Sequence, residues 1–309
     1  MISLESEAEA DEENDMKILS WFKSPKKEVH EDGPFESHYE NGQLESKGIY
    51  KDGQLDGHWE FFYENGQLKS KENFTDGKAD GLQEWFHNNG QLRERQPYKD
   101  GKKDSHWELF HENGQLKSKG NFEDSGRNGP FQVFYNNGQA RSKGNHKNDE
   151  RDGPYESYHE VGQLEAKGNF KDGKRDKLWK EFHENGQLRS KESFKDGKRD
   201  KLWEQFHENG QLSRKGNYKI DRQNGLFEEY YENGQLKVKE NYKDDKKDGP
   251  YESYDENGQL KIKENYKEDI KHGPYESYDE NGQLKSRGTF KNGVLDGAYE
   301  LYEDGVLQS

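Results

Sequence analysis

The sequence predicts an all-β fold: an elongated, single-layer, twisted antiparallel meander of about twelve 24-residue β-hairpin repeats. Three observations predict it. Glycine recurs every 24 residues, at Gly42, Gly66, Gly90, Gly114, Gly138, Gly162, Gly186, Gly210, Gly234, Gly258 and Gly282, and a fixed period of this size marks a repeat array. Ten of these eleven glycines follow Asn, Val161 being the exception, and all eleven precede Gln. Hydrophobic residues make up 26% of the chain and charged residues 37%, too little aliphatic material for a two-layer core. The 13% of aromatic residues recur in phase with the glycines and argue for order.

Along the chain, residues 1–15 carry seven acids and no base, the pattern of a solvated tail. Residues 16–31 read as a short segment capping the open edge of the first strand, with Met16 an alternative start of translation. The repeat array then covers residues 32–309. In the unit Trp59–Phe74, Asn65-Gly66 lies between alternating runs, the sequence signal for a type I′ hairpin. A second turn falls at Asp76-Gly77, and with short connections throughout, consecutive strands should pair as a meander.

Register follows from the turn. A two-residue turn at Asn65-Gly66 sets Glu64 opposite Gln67, Tyr63 opposite Leu68 and Glu60 opposite Lys71. The same arithmetic pairs Glu84 with Arg95, Glu108 with Lys119, Glu204 with Lys215 and Glu252 with Lys263, while Lys180 meets Lys191. Opposed charges on adjacent strands contribute about 0.2–1 kcal/mol each. Trp107 should lie opposite Gly120 and Tyr155 opposite Gly168, rings covering strand glycines. Alternation sends Leu68, Ser70, Phe74 and Trp59 to one face. Lys71, Glu60 and an aromatic stripe through Phe62, Phe86 and Phe110 go to the other.

The motif Gly-x-Tyr-Glu-x-Tyr-x-Glu-Asn-Gly-Gln-Leu-Lys-x-Lys-Gly-Asn-Tyr-Lys-Asp-Gly-Lys, as at Gly153–Lys174 and with small changes at Gly249–Lys271, resembles the variant form of the membrane occupation and recognition nexus (MORN) repeat. This is the bacterial type found in the YwqK family of toxin–antitoxin antitoxins. The resemblance spans residues 32–309. It implies an extended β-meander and a role in protein association, membrane attachment or toxin neutralisation, without catalysis.

Several chemistries are disfavoured by composition. The chain holds no cysteine, which removes disulfides and thiol chemistry. Its net charge of −15 argues against a nucleic-acid partner. No apolar run is long enough to cross a bilayer as a helix, and a cytoplasmic location is expected. Turns such as Asp172-Gly173-Lys174-Arg175-Asp176 carry bases where a Ca²⁺ loop needs oxygens. His87, His111, His159, His183 and His207 occupy the position of Tyr63 and Tyr231, so they read as packing residues. No metal, cofactor or enzymatic activity is expected.

One stretch departs from the pattern. Residues 171–201 carry eleven Lys or Arg against seven Asp or Glu, and the usual Asp-Gly becomes Asp176-Lys177 and Asp200-Lys201. Arg175, Lys177, Trp179, Arg199, Lys201 and Trp203 are the candidate partner-binding residues, with the four bases expected on one edge. Three functional readings stand: a scaffold for a protein partner such as a toxin, a module for an anionic membrane surface, and a carbohydrate- or choline-binding array using its exposed rings. The last strand, at Val306–Ser309, is open to end-to-end self-association.

Overall fold

The computed structural model describes residues 30–303 and 305–308. The acidic tail 1–15 and residues 16–29 of the capping segment lie outside the described residues. Strand occupies 67% of the described residues, and no helix occurs among them. The fold is an antiparallel meander of hairpins, in which strands pair with their neighbours in the chain. The described residues divide into two compact units, one within residues 1–90 with 99–101 and one within residues 91–98 with 102–309.

The two kinds of turn differ in a way the sequence arithmetic missed. Asp52 and Gly53 have φ of 49° and 68°, and Lys51 pairs with Gln54 across them. That is the two-residue type I′ turn, and it sits at the Asp-Gly hairpins. At Asn65-Gly66 only the glycine has positive φ, 82°. Gly66 N–H donates to the Tyr63 carbonyl at 2.8 Å, and Tyr63 N–H to the Gln67 carbonyl at 2.8 Å. This makes a three-residue loop, Glu64-Asn65-Gly66, closed by a left-handed glycine. Leu68 therefore pairs with Phe62, not with Tyr63, and a bulge next to Phe61 restores the expected Glu60–Lys71 pair. Asn65 supports this loop without being required for it, since the loop at Val161-Gly162 closes in the same way. The Asn65 Oδ1 accepts the Gln67 N–H at 3.0 Å while its Nδ2 donates to Asn88 in the following turn at 2.8 Å.

A second irregularity lies between hairpins. Opposite the strand Leu44–Lys51, the strand Gln54–Phe62 pairs Asp56 with Ile49 and then Glu60 with Lys47. Two extra residues are thus inserted around Gly57, whose φ is 69°. The insertion turns Trp59 onto the preceding strand, where a Cβ on Gly48 would lie 2.1 Å from the indole. Trp59 is 1% exposed. The same device puts Trp179 over Gly168 and Phe227 over Gly216. Tyr155 does pair with Gly168 as expected, but the ring filling the glycine's space comes from the strand on its other side. Trp107 both pairs with and covers Gly120.

These rings form the core of the apolar face. In the first unit Phe35, Tyr50 and Trp59 pack at 5.0–5.9 Å between centroids. In the second, Tyr155, Phe170 and Trp179 pack with Ala166 and Phe194. Most neighbours meet edge to face, as Phe170 and Trp179 do at 81°, the arrangement ring quadrupoles favour.

Candidate functional site

The opposite face carries a row of charges, one residue per strand. Directly opposed residues of antiparallel strands project to the same face, so the register fixes the row. In the first unit it runs Glu36, Lys47, Glu60, Lys71, Glu84. In the second it starts Arg95, Glu108, Lys119 and ends Glu276, Arg287, Glu300. The expected pairs Glu60–Lys71, Glu108–Lys119, Glu204–Lys215 and Glu252–Lys263 are all in register.

Close ion contacts also form across the second turn of the repeat, Asp-Gly in most units. Lys47 lies 2.7 Å from Glu60, Lys191 3.0 Å from Glu204 and Lys215 2.5 Å from Glu228. Where the aromatic stripe offers Tyr, its hydroxyl donates to the carboxylate two residues before it, Tyr254 to Glu252 at 2.8 Å and Tyr278 to Glu276 at 2.7 Å. The Lys47 hydrogen bond and charge hold the Glu60 carboxyl below its usual range. Hydrogen bonds from Lys143 and Tyr158 do the same to Glu156.

The row breaks twice, both times in the second unit. Gln132 stands between Lys119 and Lys143. Lys180 stands between Lys167 and Lys191, giving three lysines on consecutive strands. Beside Gln132 the face opens into a groove of about 510 Å³ whose walls include Lys119, Asn121, Pro130, Asn145 and Pro154. Register arithmetic from the Asn-Gly turn finds Lys180 opposite Lys191. It cannot find Lys167 opposite Lys180, because the two inserted residues shift that partner.

The six residues singled out from sequence do not share one environment. Trp179 is 2% exposed and belongs to the core. Arg175 lies over its ring at 4.3 Å and over Phe194 at 5.6 Å, with Glu181 at 3.7 Å. Arg199 bonds the buried Glu192 at 2.8 Å and lies over Tyr218 at 5.3 Å. Glu192 itself stands between Trp179 and Trp203. Both arginines are thus covers of the aromatic face. Equivalent bases, Lys247 against Glu240 and Lys271 against Glu264, play the same part in later repeats. Lys177 and Lys201 are exposed and hold φ of 62° and 73° at the bulge position that is glycine in most repeats.

The histidines share a structural role with the tyrosines they replace. His111, His183 and His207 place Nε2 3.1–3.2 Å from the carbonyl 23 residues on, as the Tyr63 hydroxyl does at 2.8 Å. Among the described residues, no three His, Asp or Glu side chains are grouped to hold a metal ion, and no helix is long and apolar enough to cross a membrane.

Hairpins of this period, joined by turn-to-turn hydrogen bonds, define an antiparallel β-repeat protein. Eleven segments, from residues 31–52 through 151–172 to 271–292, match the MORN repeat variant. The chain belongs to that family. No curated protein sequence matches it. Among solved structures, the crystal structure of TcdB2-TccC3 aligns at 11% identity and a TM-score of 0.19, over 85% of this chain and 17% of that one. The Photorhabdus luminescens Tc holotoxin pore aligns at 12% and 0.19, over 87% and 16%. A porin-like protein from Bacteroides uniformis aligns at 9% and 0.12, over 88% and 91%. The chain spans about a sixth of the toxin-component chains it matches, and at these scores none of the three bears on function.

Proposed function

We propose that this chain is a non-enzymatic cytoplasmic scaffold that binds a protein partner, of the toxin or assembly-component kind, on its charged face. The observation that carries the reading is the row Lys167, Lys180, Lys191. Like charges directly opposite one another on adjacent strands cost stability, and this face elsewhere avoids the cost by alternation. A partner carboxylate set among the three lysines supplies the missing acid. The test is capture from the native cell with wild-type chain and with Lys180→Glu. A stoichiometric protein lost on the substitution supports the reading; equal capture by both sinks it.

Exposed Lys177, Leu178 and Lys201 favour a second reading, attachment to anionic lipid. Flotation with phosphatidylserine vesicles should then weaken as salt rises. Binding that is absent or insensitive to salt removes it.

A further inference from the structure

The two breaks in the charge row belong together. From Lys119 to Lys191 seven consecutive positions hold five lysines, one glutamine and one glutamate, a net +4. The seven positions from Lys215 to Arg287 alternate strictly, four bases and three acids, for a net +1. The surplus is concentrated at Gln132 and Lys180, exactly two repeats apart in sequence. Four strand steps separate them, which is about 19 Å at the usual spacing between strands.

Each break is suited to a carboxylate. Lys180 has no hydrogen-bond or ion-pair partner among the described residues, and Lys191 is shared with Glu204 at 3.0 Å. At Gln132 the groove is lined by Lys119, Asn121 and Asn145 between Pro130 and Pro154, with Glu156 also on its wall. Lys143 on the same wall is already held by Glu156 at 2.8 Å, so the ammonium left to a ligand is that of Lys119. Between the two breaks Glu156 keeps its place in the row. It separates them into two sites instead of one diffuse patch.

We infer that the partner is an acidic protein segment that docks at two points, one acidic cluster in the Gln132 groove and a second on the Lys167–Lys180–Lys191 row, about 19 Å apart. This rests on the partner reading above and adds its spacing. Two weak contacts on one chain reinforce each other through effective concentration only when the linker spans the sites.

Two labelled peptides of equal length and net charge test it against the full chain by fluorescence anisotropy. One carries two Glu-Glu-Glu clusters joined by seven Gly and Ser residues; the other carries six contiguous Glu. The split peptide should bind roughly tenfold more tightly. Gln132→Glu should reduce the split peptide to the affinity of the contiguous one, and Lys180→Glu should weaken both. Each substitution restores the alternation kept elsewhere in the row, and Lys180→Gln repeats the test without added charge. Equal affinity of the two peptides overturns two-point docking but leaves an acidic partner standing. Failure of both peptides to bind in a salt-dependent way overturns both readings, as does binding to phosphatidylserine vesicles alone.

Discussion

Residues 119–201 and 215–300 are built from the same repeat, yet they obey its rules to different degrees. In the later stretch every bulge is a glycine with positive φ, Gly225, Gly249, Gly273 and Gly297, and the charge row alternates without a break. In the earlier one Lys177 and Lys201 occupy the bulge, Gln132 and Lys180 interrupt the row, and His146 replaces an aromatic ring of the core. A left-handed non-glycine costs about 1–2 kcal/mol, and opposed lysines add a smaller cost. The later stretch shows that the fold needs neither. The departures therefore point to a demand other than folding, and two of them, Gln132 and Lys180, lie on the face proposed to hold the partner, whereas Lys177 and Lys201 pair with the core rings Phe194 and Tyr218.

The largest expected effect tests how tightly the earlier stretch is packed. A Cβ on Gly168 would lie 2.0 Å from the Trp179 ring, so Gly168→Ala should cost about 2–3 kcal/mol. In the later stretch the equivalent Gly216 lies under Phe227 in the same way, but one repeat on the position holds Glu240, which reaches Lys247, and Glu240→Ala should not produce a clash. Thermal unfolding of the two variants compares them directly.

Next in size is an acid sensitivity confined to the earlier stretch. Burial, aided by Arg127 and Arg151, pushes the His146 imidazole down to about 4. Below the unfolded value near 6.5 the unfolded chain takes up a proton that the folded one refuses. Stability is thus complete above that pH and falls as pH drops toward 4. The loss at pH 5 should be on the order of 2 kcal/mol, and His146→Phe should abolish it. Amide exchange in the strand Ala140–Lys147, compared at pH 7 and pH 5, would show it. Tyr218, Tyr242 and Tyr266 hold this position in the later stretch, which should lack the response in that range.

Smaller gains should follow from imposing the later stretch's rules on the earlier. Lys177→Gly and Lys201→Gly should each stabilise by about 1 kcal/mol, read from urea unfolding. Gly249→Lys should cost as much. Lys180→Glu should add roughly 0.5 kcal/mol while weakening partner capture, and Glu252→Lys should remove a similar amount. A destabilising Lys180→Glu would show that the three lysines are not in conflict, and the comparison would lose its point.

The repeat, its antiparallel pairing and the Glu60–Lys71 register were legible from Gly42 to Gly282, because a period of 24 leaves the hairpin little choice. The turn type was not. Asn65 suits either geometry by propensity, and the longer loop recurs even where Val161 replaces Asn, so the Asn-Gly signal does not by itself decide the turn. The inserted pair around Gly57 was also hidden, since Asp56-Gly57 reads as an ordinary turn signal. The equivalent insertion around Lys177 moves Lys167 opposite Lys180, so the sequence showed only part of the lysine row. Arg175 and Arg199 looked like surface charges. Their commitment to Trp179, Glu192 and Tyr218 follows from rings that recur on neighbouring strands, a signal available in the period but masked by the excess of bases around them.

The Asn bond from one turn to the next, repeated along the chain, has a further consequence. Asn113 donates to the Asn136 carbonyl, Asn185 to that of Glu208 and Asn209 to that of Glu232, always toward the later repeat. Such head-to-tail coupling is satisfied wherever a whole repeat is added or removed. Inserting one between Gln132 and Lys180 would move them apart by two strand spacings, about 10 Å, without altering either. Binding distance in this architecture is a quantity that gene duplication can adjust in equal steps, independently of the chemistry at each end.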